Sequence, residues 1–187
     1  MFFLQAIKFP KFAILFVMSR SPFTFKLVQP NQRDWLVSSL SQGYIQEWLH
    51  GAGLKNLLVN LDRFFQGTSD SSHWVAYDEK GTPFAYLLTH EEENEALSMD
   101  LFICDPRFLG KGFSVPLIHQ FLLSQFKNKK TIFIDPEVRN TRAVHVYQKA
   151  GFEIIGEFIA SWHPVPHYKM KLDLDKMKLD LEKLKNK

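Results

Sequence analysis

The chain has 187 residues, of which 45% are hydrophobic and 14% aromatic, and its formal net charge at pH 7 is +3. This size and composition predict one globular domain with a substantial core and exclude a disordered chain. The mild positive charge gives no reason to expect nucleic acid as a partner. The single cysteine, Cys104, excludes an intramolecular disulfide framework. It is typical of a reducing compartment, so we expect a cytoplasmic location.

Residues 1–22 are expected to be an N-terminal extension that is not necessarily part of the fold. Their longest uncharged apolar run, residues 12–18, is too short to span a bilayer, so no integral membrane span is predicted. A secretory signal is disfavoured, because the run is also short for a signal-peptide core and no small-x-small cleavage site follows. The other two interpretations are that Met18 is the true start of the protein or that the extension is a peripheral membrane anchor.

Hydrophobic periodicity places one domain over residues 23–173 and an amphipathic tail over residues 174–187. The alternating or short apolar runs predict strands at residues 23–28, 73–78, 83–89, 97–104, 131–134, 152–159 and 168–172. Helical spacing and capping residues predict helices at residues 32–40, 44–49, 54–65, 112–126 and 141–150. The tail has a narrow apolar face, suited to docking on the domain or on a partner.

The strand at residues 97–104 leads into a glycine turn, Arg107 to Gly112, that opens a helix. Such a turn directs free backbone N–H groups at the positive end of the helix dipole, where a phosphate can bind. A Walker loop is excluded because Asp105 and Gly112 occupy two of its defining positions. A dinucleotide fingerprint is excluded because Val115 replaces its third small residue. An ordinary strand-to-helix turn remains the alternative interpretation.

A second motif, Asn140 to Phe152, follows one strand later and reads NTRAVHVYQKAGF. Asn140 and Tyr147 are seven residues apart and therefore share a helix face. Together with Arg107-x-x-Gly110-x-Gly112 and the order of elements, this motif resembles the GNAT superfamily of N-acetyltransferases over residues 23–172. The resemblance implies an α/β (α+β) GNAT fold, with a mixed, mostly antiparallel, splayed central sheet flanked by helices. It also implies acetyl-CoA as co-substrate.

The resemblance further implies the residues that hold acetyl-CoA. The pantetheine arm would fill a gap between the strands at residues 97–104 and 131–134, and the pyrophosphate would contact the glycine turn. Asn140 would bind the pantetheine arm, and Tyr147 would reach the sulfur. The full set of expected cofactor-binding residues is Phe102, Ile103, Leu109, Gly110, Lys111, Gly112, Phe113, Ser114, Asn140, Ala143 and Tyr147.

The expected reaction is direct acetyl transfer to a primary amine. Asp100 would hold the amine and accept its proton, although an Asp with an ordinary pKa of about 3.9 is a weak base, so orientation could be its larger role. Backbone N–H groups near Phe102 or Ile103 would stabilise the oxyanion. Tyr147 would protonate the departing thiolate. Asp100 and Tyr147 are therefore the expected catalytic residues.

Within the superfamily, the motifs are most similar to the aminoglycoside 6'-N-acetyltransferase branch. The acceptor would then be a cationic small molecule, contacted by Trp48, Glu91, Glu92, Asp100 and Asp135. Trp48 could instead be a core residue, and the acidic connection a solvated loop. The alternative functions left open are an acetyltransferase for a lysine-type amine or polyamine and a non-catalytic CoA-binding module. A dimer is also left open.

Two further groups of residues carry weaker signals. Cys104 on a strand is expected to be apolar filler and not a nucleophile. His163 and His167 are four residues apart, but Pro164 and Pro166 prevent the helix that would align them as ligands. No metal is therefore expected.

Overall fold

The computed structural model describes residues 22–161 and 163–185. Its strands are β1 (Thr24–Leu27), β2 (Ser71–Tyr77), β3 (Pro83–Glu92), β4 (Ala96–Ile103), β5 (Thr131–Ile134), β6 (Glu153–Ala160) and β7 (His163–Asp173). Its α-helices are α1 (Arg33–Leu40), α2 (Gly43–Gln46), α3 (Gly51–Phe65), α4 (Ser114–Gln125), α5 (Thr141–Ala150) and α6 (Leu174–Lys185). Residues 1–21, nearly all of the predicted extension, lie outside the described residues. None of the described helices has both the length and the apolar character that crossing a bilayer requires.

The strands form one seven-stranded sheet in the order β1-β2-β3-β4-β5-β7-β6. Within the described residues, β4 and β5 are the single parallel pair, and the other neighbours run antiparallel. The tight turn between β2 and β3 is held by Asp78, whose Oδ1 accepts hydrogen bonds from the backbone N–H groups of Lys80 and Thr82 at 3.0 and 2.8 Å. The mixed, mostly antiparallel sheet and the hairpin confirm the predicted architecture.

The sheet is open between β4 and β5. These strands pair only at Ala96–Thr131, Leu97–Ile132 and Ser98–Phe133. β4 nevertheless continues to Ile103, where it still pairs with β3. The remaining backbone of β4 therefore faces a gap on its β5 side, because β5 ends and diverges while β4 runs on.

Each face of the sheet has its own apolar cluster. The α4–α6 face is centred on fully buried residues that include Leu97, Leu117, Phe121 and Ile132. The α1–α3 face is centred on a second set of buried residues, namely Val28, Leu36, Leu40, Ile45, Leu57, Leu61, Val75, Tyr86 and Cys104. Full burial of such a side chain contributes about 1.5–3 kcal/mol. The sheet is thus fixed from both sides, except where the gap opens.

Helix α6 packs on the domain. Leu174, Met177 and Leu181 are buried in the same cluster as the α4 residues, whereas Leu184 lies at the rim with 36% of its surface exposed. The apolar face predicted for the C-terminal tail therefore packs on the main core of this chain.

Helix α4 and strand β7 are among the elements that differ from their predicted bounds, and both differences have identifiable reasons. Helix α4 begins at Ser114 and not at Gly112, because Gly112 has φ +77°, outside the right-handed helical region. Strand β7 begins at His163 and not at Tyr168, so Pro164 and Pro166 lie within a strand. Proline is tolerated there because this part of β7 extends past the end of β5, where a ladder N–H is not required.

Candidate active site

The gap between β4 and β5 opens into a cavity of about 1120 Å³. Its walls come from α2, α3, β3 to β7, α5, the glycine turn with the start of α4, and the segment after β5. A typical site for one small molecule measures about 300–1,000 Å³. This cavity is therefore large enough for parts of two ligands side by side.

Two carboxylates, Asp100 and Asp135, lie on either side of the gap. Ser98 and Phe133 are paired across β4 and β5 and so share a face of the sheet. Alternation along a strand places Asp100 on that same face, and Asp135 directly follows β5 on the same side. Both carboxylates line the cavity.

The environment makes Asp100 a better base than an exposed carboxylate. Burial, followed by the negative charge of Asp135, raises the pKa of Asp100 to about 7. Burial also raises the pKa of Asp135, although His167 and Lys169 act in the opposite direction. Asp100 can therefore accept a proton near neutral pH. The sequence analysis assumed an ordinary aspartate pKa and did not anticipate this shift.

Tyr147 lies in the wall of the same cavity and is 8% exposed. It belongs to α5, whose N-terminus is capped by Asn140 and whose C-terminus ends at Gly151. Burial and the charges of Asp100 and Asp135 raise the pKa of the Tyr147 hydroxyl well above its usual value. The hydroxyl is therefore protonated at neutral pH and available as a donor.

The glycine turn adopts the geometry of an anion-binding loop. Gly110 and Gly112 have φ of +71° and +77°, which residues with a side chain rarely adopt. The N-terminus of α4 has no side-chain cap, so N–H groups of its first turn have no capping partner among the described residues. Arg142 is close by, since a Cβ added to Gly110 would lie 3.8 Å from its Nη2.

The cavity wall includes only part of the predicted cofactor-binding turn. Leu109, Gly110 and Ser114 line the cavity, whereas Lys111, Gly112 and Phe113 do not. Lys111 and Gly112 are exposed beyond it. Phe113 packs its ring against Phe23 and Phe108, with centroids 6.2 and 5.4 Å away. Phe113 thus anchors the turn to the core.

The Asn140 side chain is a helix cap as well as a cavity residue. Its Oδ1 accepts a hydrogen bond of 3.1 Å from the backbone N–H of Ala143. Its amide group remains a potential donor to a ligand, since the cap uses only the oxygen. Ala143, Phe102 and Ile103 also line the cavity. The helix-cap and ligand-contact interpretations of Asn140 are therefore compatible.

The two neighbouring glutamates of β3 point in opposite directions. Glu92 and His90 line the cavity, whereas Glu91 forms an ion pair with Lys129 and does not line it. The reason is that successive side chains of a strand point to opposite faces. The sequence-based prediction placed both glutamates in a loop, whereas β3 extends three residues beyond its predicted end and includes them. The structure therefore does not bring Glu91 to the other predicted acceptor residues.

Trp48 stands in the cavity wall and belongs to neither apolar cluster. Its ring carries the guanidinium of Arg139, with 5.0 Å between Cζ and the ring centroid. Arg139 also donates to Oε2 of Glu137 at 2.6 Å and to the backbone oxygen of Glu47 at 3.3 Å. Arg139 thus ties the Glu47–Trp48 turn to the segment after β5.

Sequence reasoning missed two carboxylates of the cavity wall, those of Glu137 and Glu157; a third, Glu47, lies beside the predicted Trp48. Their segments are remote in sequence, and nothing in their local pattern distinguishes them. Burial alone would raise the pKa of Glu137, but Arg139 and His163 outweigh it and lower the pKa below its usual value. Glu137 is therefore a charged group held inside the wall.

A buried polar network supports the α3 side of the cavity. The Nε2 of His73 lies 2.7 Å from Oδ1 of Asn60, and its Nδ1 lies 2.6 Å from the hydroxyl of Tyr86. Because an amide oxygen only accepts, Nε2 of His73 donates and Tyr86 donates to Nδ1. Burial lowers the pKa of His73 to about 4, so the ring is neutral.

Cys104 lies outside the cavity wall and is buried. Burial raises the pKa of its thiol to about 12, so it is protonated at neutral pH. This state agrees with apolar filler and not with a nucleophile.

A family model described as an acetyltransferase (GNAT) domain matches residues 41–160. The crystal structure of an aminoglycoside N(6')acetyltransferase from Legionella pneumophila is 49% identical, with 87% of this chain and 98% of that chain covered and a TM-score of 0.81. The chain belongs to the GNAT acetyltransferase family. It is an acetyl-CoA-dependent N-acetyltransferase, as the residues predicted.

More distant GNAT structures share the fold alone. The aminoglycoside acetyltransferase AAC(6')-Ib, solved with paromomycin and acetyl-CoA, is 22% identical with a TM-score of 0.72, and 84% of this chain and 97% of that chain are covered. A spermidine N-acetyltransferase from Vibrio cholerae, solved with CoA and spermine, is 17% identical with a TM-score of 0.69, and 85% and 99% are covered. The same fold thus serves different amines.

Proposed function

We propose that this GNAT enzyme transfers acetyl from acetyl-CoA to the 6'-amine of an aminoglycoside. The observation that carries the proposal is the charge of the cavity wall. Its carboxylates belong to Glu47, Glu92, Asp100, Asp135, Glu137 and Glu157, whereas its lysine and arginine groups are Arg142 and Lys169. A polycationic amine is attracted to such a wall. The 49% identity to a protein described as an aminoglycoside N(6')acetyltransferase supports the same acceptor.

The opposite end of the cavity suits the acetyl donor. Gly110 and the uncapped start of α4 would hold the pyrophosphate, with the guanidinium of Arg142 nearby. The pantetheine arm would lie in the gap beside β4 and contact the amide of Asn140. Charges are thus segregated: the anionic donor meets N–H groups and a guanidinium, and the cationic acceptor meets carboxylates.

Asp100 is the proposed base. A primary ammonium must lose a proton before it can attack the thioester carbonyl, because the lone pair is otherwise occupied. Asp100 has a pKa of about 7 and can take up that proton at neutral pH, directly or through water. In its ionised form Asp100 also holds the ammonium in place. Its two expected roles, orienting the amine and accepting its proton, therefore follow one another.

Backbone N–H groups of β4 near Phe102 or Ile103 are the proposed donors to the oxyanion. They border the gap where β4 has lost its β5 partner. A donor already held in place by a strand needs no reorganisation as charge develops. Losing such a donor typically slows an enzyme by about 100- to 1,000-fold.

Tyr147 is the proposed donor to the leaving sulfur. Its raised pKa keeps the hydroxyl protonated but makes full proton transfer to a thiolate, with an ordinary pKa of about 8.5, unfavourable. A hydrogen bond to the developing thiolate therefore carries most of the effect. Protonation of the product thiol can then be completed by solvent.

Trp48, Glu92 and Asp135 are proposed to contact the acceptor. The half-buried Trp48 offers a flat wall to a sugar ring, and the Arg139 stacked on it holds that wall in position. Glu92 and Asp135 lie on either side of the reacting end, on β3 and after β5. Glu91 is left out of this proposal because its side chain leaves the cavity wall.

Thiol release from acetyl-CoA tests the acceptor. The enzyme is assayed with an aminoglycoside that carries a 6'-amine and with a matched one that carries a 6'-hydroxyl, beside polyamines, hydroxylysine and lysine peptides. We expect turnover with the 6'-amine alone, and a loss of at least about 100-fold in Asp100→Asn. Turnover confined to polyamines or lysine-type amines would contradict the proposed acceptor. Absence of turnover with every amine, despite acetyl-CoA binding, would contradict catalysis.

A further inference from the structure

We propose that His50, Glu137 and His163 form a binding site for a divalent transition-metal ion such as Zn²⁺ in the acceptor wall of the cavity. One ligand atom from each residue lies within 4.8 Å of the other two. Two imidazoles and one carboxylate are a ligand set that zinc accepts in catalytic sites, with a fourth position left for water or substrate. The site differs from the sequence-based expectation of no metal, which considered His163 with His167 only.

The distances need only a small adjustment. Nε2 of His163 and Oε1 of Glu137 are already 3.0 Å apart. Bonds of about 2.0–2.2 Å in a tetrahedral complex place neighbouring donor atoms roughly 3.4 Å apart. His50 is the exposed member, and its ring lies 4.7 Å from the His163 ring, centroid to centroid. Closing the site therefore requires the His50 ring to move closer to the other two ligands.

The other two ligands are held by the fold. The segment that carries Glu137 is joined to β7 by hydrogen bonds of 2.9 Å from Val138 N–H to the Pro166 oxygen and 3.0 Å from Tyr168 N–H to the Pro136 oxygen. The side chain of Glu137 is only 4% exposed, and its second oxygen accepts from Arg139 at 2.6 Å. Such outer partners orient a metal-binding carboxylate. The positive charge of Arg139 also makes the site weaker than a site with a free carboxylate.

The site has an open side toward the cavity. All three residues line the cavity that Asp100 and Tyr147 also line. A bound cation would therefore have room for water at its fourth position. It would also remove negative charge from the wall that we propose for a cationic acceptor, so Zn²⁺ and the acceptor would exclude one another.

The direct test measures Zn²⁺ binding to the full chain without an affinity tag. Competition with a chromophoric chelator gives the affinity and stoichiometry, and Co²⁺ in place of Zn²⁺ gives a visible spectrum that reports tetrahedral coordination. We expect about one ion per chain, and a loss of affinity of about tenfold or more in His50→Ala and in His163→Ala. His145→Ala is the matched control, since His145 is exposed on α5 and outside the cluster.

The outcomes are separable from acetyl transfer because binding is measured without turnover. His50→Ala is the decisive variant, since an exposed side chain can be removed without disturbing the core. Circular dichroism of each variant verifies the fold. Equal Zn²⁺ affinity in His50→Ala and His145→Ala would overturn the proposal, and so would a wild-type chain that binds no stoichiometric ion. In either case the three residues form an ion pair with a neighbouring ring and nothing more.

Discussion

Asp100 and Asp135 show how two ordinary side chains acquire an unusual property from their positions. Each carboxylate alone would be ionised well below neutral pH. Burial raises both pKa values, and the negative charge of Asp135 raises the pKa of Asp100 further, to about 7. Two carboxylates near one another are a recurrent way of holding a proton-accepting group at working pH.

Substitution of Asp135 should change the pH dependence of the enzyme. In Asp135→Asn the repulsion is gone, so the pKa of Asp100 falls and the acid limb of kcat/KM moves to lower pH by about one unit. The measurement is a pH profile with a 6'-amino acceptor. Glu91→Gln is the control, because Glu91 is also a carboxylate near the site but pairs with Lys129 outside the cavity. An acid limb that stays in place in Asp135→Asn would contradict the coupling.

Substitution of Tyr147 should separate chemistry from binding. Tyr147→Phe removes only the hydroxyl, so we expect turnover to fall by about tenfold or more while the Kd for CoA stays nearly the same. Tyr168→Phe on β7 is the matched control, because Tyr168 is half-buried against the core and does not line the cavity. Steady-state kinetics and calorimetric titration measure the two quantities. Wild-type turnover in Tyr147→Phe would remove this hydroxyl from the mechanism.

The turn between β4 and α4 is the element on which the proposed binding of the acetyl donor depends. Gly110→Ala places a side chain at φ +71°, a conformation that costs about 1–2 kcal/mol. The turn is expected to relax from its bound shape, so the Kd for CoA should rise by about 5- to 30-fold. Gly43→Ala is the control, since Gly43 has no positive φ and its added Cβ meets nothing within 4 Å. Unchanged CoA affinity in Gly110→Ala would rule out the turn as the pyrophosphate site.

The elements themselves were largely predictable from the sequence. Strand β5 and helix α5 have the bounds that periodicity and capping indicated, because their residues obey a single local period. Errors arose where tertiary pairing overrides local signals. β3 carries its ladder with β4 through Glu92, and β7 pairs with β6 across two prolines. The first of these errors explains why Glu91 was assigned to the acceptor wall.

At the scale of the whole molecule, helix α6 is part of the core and not an appendage. Met177→Ala removes a side chain that is 6% exposed in the main cluster, so we expect a loss of about 2–5 kcal/mol in the free energy of unfolding. Leu179→Ala, on the same helix but 56% exposed, should change stability by less than about 0.5 kcal/mol. Urea denaturation measures both. Equal stability of the two variants would mean that α6 does not dock in solution.

One part of the candidate site has recognisable sequence motifs, and the other part is assembled only when the chain folds. The proposed donor side consists of two local motifs, around Gly110 and around Asn140, whose turn and helix cap were predictable. The acceptor wall gathers single residues from remote segments. Glu47, Glu137 and Glu157 come from three such segments, and so do the members of the proposed metal site. No spacing rule connects such residues, because their proximity is a product of the sheet order and of the pairing of β7.

The gap between β4 and β5 makes the basicity of Asp100 depend on the shape of the sheet. Only three residue pairs join the two strands, and Asp100 and Asp135 lie on opposite sides of the gap, beyond the last pair. The width of the opening therefore sets the repulsion between them. A ligand that moves the two strands apart would lower the pKa of Asp100 and make it a weaker base. A ligand that draws them together would raise that pKa and make Asp100 a stronger base. Under the proposed mechanism, the acetyl donor that fills the opening would therefore tune the basicity of the group that accepts the proton from the other substrate.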